Sequence, residues 1–197
     1  MAKIYFLLCG ARSGKSEHAE NLAASLSNKV SYFATAQVID EEMKKRIEFH
    51  KRRRPQTWKT FEIEKDIILP DDLEKVIEKT ILLRYEVLVV DCITNLLFRL
   101  AYKYNLDNLE VIENVLEKEI EADVISLFDR FLKTVQNACR QNNLNIILVS
   151  NEVGLGLVPP YPFGRIFRDL LGLINKKIAS ISDEVYFFVA GLKLKIK

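Results

Sequence analysis

The chain of 197 residues contains few of the residues typical of disulfide-rich, collagen-like or disordered proteins. It has only 3 cysteines, 7 glycines and 5 prolines. The cysteines, at positions 9, 92 and 139, are widely spaced, odd in number and form no CxxC pair. With only two histidines in the chain they do not complete a zinc-ligand set. Free thiols of this kind suggest a reducing, cytosolic compartment.

Long apolar runs and an excess of one charge are also missing. The start, MAKIYFLLCGARSGKS, has an apolar run of about six residues, which is too short for a signal peptide. No stretch approaches the roughly 20 apolar residues of a membrane span. The net charge of +2 disfavours a dedicated duplex-DNA binder. With 49% hydrophobic and 28% charged residues, we expect a cytoplasmic protein with a single domain over residues 1–197.

Short apolar runs alternate with helical patterns along the chain, which is typical of βαβ units. The apolar runs predict strands over residues 4–8, 30–35, 87–91, 146–150 and 185–189, with 192–197 as a candidate edge strand. The helical patterns cover residues 14–26, 40–52, 71–83, 108–142 and 165–180. This alternation predicts an α/β fold, with a mainly parallel sheet and helices on both faces.

A glycine-rich segment between the first predicted strand and helix matches a P-loop. It reads Gly10-Ala11-Arg12-Ser13-Gly14-Lys15-Ser16. Backbone N–H groups of such a loop, with the helix N-terminus behind them, attract phosphate. Lys15 would reach the β- and γ-phosphate oxygens, and the Ser16 hydroxyl would ligate Mg²⁺. Cys9 stands where the usual pattern has its first glycine, so either the turn tolerates a side chain there or nucleotide affinity is reduced.

Asp91 ends the predicted strand 87–91 and is the candidate Walker B carboxylate, which would hold Mg²⁺ through water. Considered alone, an aspartate at that place is also explained as a strand cap. The P-loop favours the magnesium role, since folds of that type place such an acid beside the Lys/Ser pair.

A histidine lies within a strongly basic segment, Lys44 to Pro55, in which seven of the twelve residues are Lys or Arg. Surrounding cations favour the neutral imidazole of His50, which is then available as a nucleophile, and they also attract a polyphosphate. On composition alone, a solvated charged helix with a bystander histidine explains the segment better. A helical wheel gathers four residues on one side: Arg46, His50, Arg53 and Arg54.

Several motifs together resemble one family, the bifunctional adenosylcobinamide kinase / adenosylcobinamide-phosphate guanylyltransferase of cobalamin assembly. The resemblance runs nearly end to end, and its combination of motifs is far more specific than a P-loop alone. The matching motifs are GARSGKS with HAE at 18–20, ATAQ at 34–37, RIxxH at 46–50 with RP at 54–55, DCIT at 91–94, NEVGxGxVP at 151–159, RxxRD at 165–169 and LKIK at 194–197.

The resemblance implies two reactions on a single P-loop NTPase-type domain. In the first, ATP or GTP phosphorylates adenosylcobinamide. In the second, GMP passes from GTP through a covalent histidine to adenosylcobinamide phosphate, giving adenosylcobinamide-GDP. The covalent residue falls on His50 and a catalytic phosphate contact on Lys15. Nucleotide contacts fall on Cys9, Gly10, Ala11, Arg12, Ser13, Gly14, Lys15, Ser16, Thr35, Ala36, Gln37, Lys51, Arg52, Arg53, Arg54, Glu62 and Asp91.

The same resemblance implies Mg²⁺ on Ser16 and Asp91, partly through water, and a homotrimer. It implies a corrinoid and GTP or ATP as partners, and no nucleic acid. The loop over 151–159 is expected to position the corrinoid arm or the metal, and its proline-rich continuation to be stiff. Arg165 and Arg168 either bind phosphate or pair with Asp169 and its neighbours. His18 is expected to be a surface or packing residue.

Three other functions stay open at this point. One is a P-loop small-molecule kinase without a covalent step. Another is a nucleic-acid-dependent NTPase, suggested by the basic run Lys51-Arg52-Arg53-Arg54. The third is a family member that keeps only one of the two reactions.

Overall fold

The computed structural model of the protein describes residues 1–36, 40–63, 71–103 and 114–197. Within these ranges strands and helices alternate, as the sequence predicts. The strands are β1 (Ile4–Cys9), β2 (Val30–Ala34), β3 (Lys59–Glu62), β4 (Val87–Asp91), β5 (Asn145–Asn151), β6 (Glu184–Val189) and β7 (Leu192–Lys195). The helices are α1 (Lys15–Leu26), α2 (Glu41–Arg53), α3 (Asp71–Leu82), α4 (Ile93–Lys103), α5 (Asn114–Asn142) and α6 (Pro162–Ile181).

The strands form one seven-stranded sheet in the order β3-β2-β4-β5-β1-β6-β7. Every pairing is parallel except that of β6 with β7. The central strands β1, β4 and β5 consist largely of continuous buried apolar residues because helices cover both faces. The predicted mainly parallel sheet is therefore confirmed.

Two apolar cores lie on opposite faces of the sheet. One face carries α1, which buries Ala19 and Ala23, together with Trp58 after α2. The other face carries α3, α4, α5 and α6, with Phe128 and Phe131 of α5 among its largest fully buried side chains. Among the described residues, no helix combines the length and the apolar content needed to cross a bilayer.

Two elements were not predicted. Strand β3 has only four residues and lies at the sheet edge, so two of them are exposed and two half-buried, and the apolar run that marks a buried strand is missing. Helix α4 buries apolar residues that recur at helical spacing: Ile93, Leu96, Leu97 and Leu100.

Two predicted helices differ in their bounds. Helix α6 begins at Pro162, three residues before the predicted start, and residues 108–113 of the long predicted helix lie outside the described ranges.

The strand register places the ends of neighbouring strands at one level. Glu62 of β3 is paired with Ala34 of β2, which is paired in turn with Asp91 of β4. Asp91 faces Val149, two residues before the end of β5, and Cys9 at the end of β1 faces Asn151. The predicted site residues that follow these strands therefore share the carboxyl edge of the sheet, where open α/β sheets build their ligand sites.

Candidate functional site

The loop between β1 and α1 has the backbone of a phosphate-binding turn. Gly14 adopts φ +87°, in the left-handed region that glycine enters at little cost, and caps the start of α1. Arg12 is also left-handed, at φ +56°. The Lys15 ammonium bends back over the loop and donates to the Gly10 carbonyl at 3.0 Å. The buried Ser13 hydroxyl has no hydrogen-bond partner among the described residues. The loop therefore combines donors and a helix N-terminus that suit an anion.

The ammonium of Lys15 is buried, with only 7% of the residue exposed. Burial lowers the pKa of Lys15, and the neighbouring Cys92, Asp91 and Cys9 oppose that shift electrostatically. The Asp91 carboxylate is thus close enough to stabilise the charged form of Lys15, although β5 lies between the strands that precede the two residues.

Cys9 occupies an ordinary extended position at the end of β1, outside the left-handed region. Its thiol donates to the Phe188 carbonyl of β6. A side chain at the place of the usual first glycine is therefore accommodated by the backbone, and of the two alternatives for Cys9 the structure supports the tolerant turn.

The ring of His18 packs against Phe188 at 5.2 Å between centroids, as expected of a packing residue, and its burial lowers the pKa of His18.

Asp91 is supported by a buried tyrosine. The Tyr32 hydroxyl of β2 donates to Asp91 Oδ2 at 2.6 Å. Burial, and then the adjacent Asp91 carboxylate, raise the pKa of Tyr32 well above its ordinary value, so the phenol stays protonated and remains a donor. Thr35 is fully buried and its hydroxyl bonds the backbone of Cys92, which gives this predicted nucleotide contact a structural role between β2 and the end of β4.

The residues predicted to hold Mg²⁺ fit that ion by their chemistry. Asp91 is half-buried at the carboxyl edge, and Ser16 is half-buried in the first turn of α1. Both supply oxygen ligands, and a magnesium ion held mainly by substrate phosphates and water needs only one or two such protein groups. Within the described ranges, no cluster of three or more His, Cys, Asp or Glu side chains offers another metal site.

Helix α2 carries His50 to the side of the P-loop helix. Asp40 caps the start of α2 by accepting from the Met43 backbone N–H at 2.7 Å. In the last turn, Arg53 Nη2 donates to Glu20 Oε2 of α1 at 2.8 Å. His50 Nδ1 lies 4.0 Å from the other oxygen, Glu20 Oε1. The sequence predicts only cations around His50, whereas the structure places the Glu20 carboxylate beside it.

The end of α2 is fixed by Arg54, which is 9% exposed. Its Nε donates to the His50 carbonyl at 3.1 Å, and its Nη1 donates to Thr60 Oγ1 at 3.1 Å. The guanidinium also lies 4.0 Å above the centre of the Tyr32 ring. Arg54, predicted to contact the nucleotide, is thus used inside the protein to hold α2 against β2 and β3.

The remaining predicted contacts differ in their exposure. Lys51 Nζ pairs with Glu62 Oε1 at 2.6 Å, and both side chains are about half exposed, at 46% and 53%. Arg52 is exposed. Ala36 is half-buried beside this edge, and Gln37 lies outside the described residues. The nucleotide contacts of these residues stay predictions.

The loop after β5 is tied down at both ends. The Asn151 backbone N–H donates to Thr94 Oγ1 at 2.9 Å, and Asn175 donates to the Asn151 carbonyl at 2.9 Å. Arg165 donates to the Pro160 carbonyl at 2.8 Å, while Arg168 pairs with its neighbour Asp169. Between these anchors the loop exposes five large apolar side chains: Val153, Leu155, Leu157, Val158 and Tyr161.

Two residues of the site were not singled out for a role in the sequence. Glu20, in the first helix, is the last residue of the HAE motif at 18–20, and Tyr32, in the second strand, stands two residues before the ATAQ motif at 34–37. Membership of the HAE motif is the signal in the sequence that points to Glu20. For Tyr32, no signal in the sequence connects it to Asp91, because their contact follows from the pairing of β2 with β4.

Comparisons with known proteins show which proteins this chain is similar to. A family model described as cobinamide kinase / cobinamide phosphate guanyltransferase matches residues 5–196. The bifunctional adenosylcobalamin biosynthesis protein CobU of Escherichia coli (strain K12) is 37% identical over 192 residues, 95% of this chain and 96% of that protein. The bifunctional adenosylcobalamin biosynthesis protein CobP of Pseudomonas aeruginosa is 37% identical over 191 residues, 97% of this chain and 95% of that protein.

Solved structures at much lower identity share the fold. The RadB recombinase aligns with 94% of this chain and 73% of its own, at a TM-score of 0.50 and 15% identity. A prototypical ATPase from the type III secretion system of pathogenic bacteria aligns with 98% of this chain and 56% of its own, at a TM-score of 0.56 and 12% identity. The chain therefore shares the fold of these two proteins.

Proposed function

This chain belongs to the cobinamide kinase / cobinamide phosphate guanyltransferase family, and on that premise we propose how its residues divide the two activities. The enzyme is a kinase and a guanylyltransferase of adenosylcobalamin biosynthesis. The P-loop would serve both activities, because each begins with a bound nucleoside triphosphate. The residues of α2 would serve only the second.

In the kinase reaction, the backbone N–H groups from Gly10 to Ser16 and the Lys15 ammonium would bind the triphosphate of ATP or GTP. The hydroxyl oxygen of adenosylcobinamide attacks the γ-phosphorus and its proton passes to water. The phosphorus–oxygen bond to the nucleoside diphosphate breaks, and the diphosphate leaves with that electron pair beside Lys15. Ser16 and Asp91 would hold Mg²⁺, which when bound neutralises charge on the phosphate oxygens.

In the guanylyltransferase reaction, a ring nitrogen of His50 would attack the α-phosphorus of GTP. A nitrogen–phosphorus bond forms, and pyrophosphate leaves with the electron pair of the broken phosphorus–oxygen bond. A phosphate oxygen of adenosylcobinamide phosphate then attacks the same phosphorus. The electron pair of the nitrogen–phosphorus bond returns to the ring, and adenosylcobinamide-GDP is released.

The observation that carries this proposal is the docking of α2 on α1. His50 lies beside Glu20, and Glu20 follows Lys15 by five residues, about 7.5 Å along the helix axis. Along the α1 axis the imidazole is therefore about one and a half helical turns from Lys15, and we propose that a movement of α2 brings it to a bound nucleotide.

Three cations at the end of the basic segment are engaged within the chain, which disfavours the alternative of a nucleic-acid surface. Lys51 pairs with Glu62, Arg53 pairs with Glu20, and Arg54 stacks on Tyr32. A strongly basic surface that binds nucleic acid keeps its cations available to phosphates.

The apolar loop after β5 would contact the corrinoid. The side chains of Leu155, Leu157, Val158 and Tyr161 are exposed at the carboxyl edge of the sheet, where an apolar macrocycle would cover them.

The proposed homotrimer would cover further apolar surface, such as Leu192, Leu194 and Ile196 at the edge hairpin. Light scattering of the purified protein tests the trimer.

The covalent step is tested with α-labelled GTP. The wild-type protein should take up label that is lost in acid and retained in base, and His50→Ala should abolish it. His18→Ala is the matched control, since His18 is the other histidine of the chain and packs on β6. Active kinase without any protein-bound label would instead support a kinase that lacks the covalent step.

A further inference from the structure

Glu20 is a buried carboxylate whose two oxygens have different surroundings. Its side chain is 9% exposed and comes from the P-loop helix α1. Oε2 accepts the 2.8 Å hydrogen bond from Arg53. Oε1 is buried and has no hydrogen-bond partner among the described residues. A buried carboxylate oxygen without a donor is costly, so a donor is expected to reach it in the working enzyme.

The atom that faces this oxygen is His50 Nδ1, at 4.0 Å. This nitrogen is also buried, and no described residue forms a hydrogen bond with it. The His50 side chain as a whole is 38% exposed, so atoms of the side chain other than Nδ1 reach solvent. Hydrogen bonds of catalytic groups are often long before substrate binds and shorten in the substrate complex.

We propose that Glu20 is the positioning residue of the guanylyltransferase reaction: it accepts a hydrogen bond from His50 Nδ1–H and thereby makes Nε2 the nucleophile. The inference rests on the proposed covalent role of His50. A hydrogen bond at one ring nitrogen fixes the tautomer, because the proton stays on that nitrogen and the lone pair remains on the other. Arg53 anchors the opposite oxygen of Glu20 and so holds the carboxylate in place.

The carboxylate also stabilises the charge that the attack creates. When the Nε2 lone pair forms the bond to phosphorus and pyrophosphate departs, the ring carries a positive charge with its proton still on Nδ1. Glu20 lies beside that charge in a buried place, where the attraction is stronger than in water. When the acceptor phosphate takes the GMP, the bond electrons return to Nε2 and the ring is again neutral.

Variants of two glutamates on α1 separate positioning from a general effect of charge. Glu20→Gln keeps the shape of the side chain and removes its charge, and Glu20→Leu also removes the acceptor. Glu17→Gln is the matched control, because Glu17 lies 3.7 Å from the same Arg53 guanidinium, is 64% exposed, and has no contact with His50 among those the structure records. Kinase turnover of each variant verifies that the phosphate loop is folded.

The first readout is the single-turnover rate of label transfer from α-labelled GTP to the protein. Loss of a charged hydrogen bond predicts a rate about 10- to 100-fold lower for Glu20→Gln and lower still for Glu20→Leu. Glu17→Gln should react within about threefold of the wild-type rate. Should Glu20→Gln and Glu20→Leu both match the wild type while His50→Ala takes up no label, the positioning role is refuted and the covalent role stands. Label on His50→Ala refutes the covalent role itself.

The second readout is the tautomer of the ring, which a merely structural role would not change. The chain has two histidines, so ¹⁵N-histidine labelling gives two ring spectra, and His50→Ala assigns them. Above the pH at which both rings lose their charge, wild-type His50 should carry its proton on Nδ1. In Glu20→Leu the proton should shift toward Nε2, as in free imidazole side chains. A wild-type ring protonated on Nε2 contradicts the inference.

Discussion

The guanidinium of Arg54 lies 4.0 Å above the centre of the Tyr32 ring, and the hydroxyl of that same tyrosine donates to Asp91 at 2.6 Å. A cation over an aromatic ring is worth about 2 kcal/mol when both groups are shielded from water. Arg54 also holds the His50 carbonyl. The end of the helix that carries His50 and the proposed magnesium carboxylate therefore share one buried support.

Removal of the tyrosine hydroxyl should weaken magnesium binding. Tyr32→Phe leaves the Asp91 carboxylate without the donor that orients it, and loss of such a supporting hydrogen bond costs about 10- to 100-fold in metal affinity. The measurement is the Mg²⁺ concentration that gives half-maximal kinase activity. Tyr5→Phe is the control, because Tyr5 lies on the same sheet face and at the same level as Tyr32, but on β1, with β5 between it and the strand of Asp91. An unchanged magnesium requirement in Tyr32→Phe would refute the orienting role.

Replacement of Arg54 should affect the two reactions unequally. Lysine cannot stack on Tyr32 and also donate to both the His50 carbonyl and Thr60, because it lacks the planar fork of arginine. We expect Arg54→Lys to slow protein guanylylation about tenfold and to leave kinase turnover within about threefold. Arg140→Lys, an exposed change on α5, provides the control. Equal losses in both reactions would mean that Arg54 supports the whole site rather than α2.

A glycine at position 9 should not improve the phosphate loop. Cys9 is already in extended backbone, so Cys9→Gly relieves no strain, and it removes the thiol bond to Phe188. Nucleotide affinity should stay within about threefold, while the free energy of unfolding falls by about 1 kcal/mol because glycine weakens a strand. Calorimetric titration with GTP and denaturant unfolding measure the two quantities. A gain in affinity of about tenfold or more would show that the cysteine does impair the loop.

Protonation of Glu184 at low pH should lower the free energy of unfolding. Hydrogen bonds from Lys3, Tyr186 and Lys195 lower the pKa of Glu184 to about 2. Since the folded-state pKa is below the unfolded value, the stabilisation is fully present above about pH 4.5 and is lost as the pH falls toward 2. Glu184→Gln should lose about 1–2 kcal/mol at pH 7, after allowance for solvent screening, and should lose less stability between pH 5 and 2 than the wild type does.

Denaturant unfolding at a series of pH values checks the Glu184 prediction. Glu121→Gln, an exposed change on α5, controls for the loss of one negative charge. Parallel acid profiles for Glu184→Gln and the wild type would contradict the assignment.

The sequence predicts much of this fold because its signals are local. The apolar runs of β1, β4 and β5 and the P-loop between β1 and α1 are visible without any tertiary contact. Strand β3 was missed since it depends on its pairing with β2 for recognition. Helix α4 is not among the predicted elements, although its buried leucines have helical spacing, and its first residues also belong to the DCIT motif at the end of β4.

The site was predicted less completely than the fold. The residues of the phosphate loop and Asp91 follow from their places at strand ends. The partners of His50 do not, because Glu20 reaches it from another helix and Arg53 turns toward α1 rather than toward solvent. A helical wheel identifies residues that share a side and gives no information on what the side faces.

The proposed mechanism depends most directly on a covalent bond between His50 and GMP. After incubation with GTP and Mg²⁺, the mass of the intact protein should rise by one GMP, and fragmentation of the modified peptide should locate that mass on His50. The His50→Ala protein should remain unmodified under the same conditions. A GMP adduct on another residue, or an unmodified wild-type protein that still converts adenosylcobinamide phosphate to adenosylcobinamide-GDP, would contradict the mechanism.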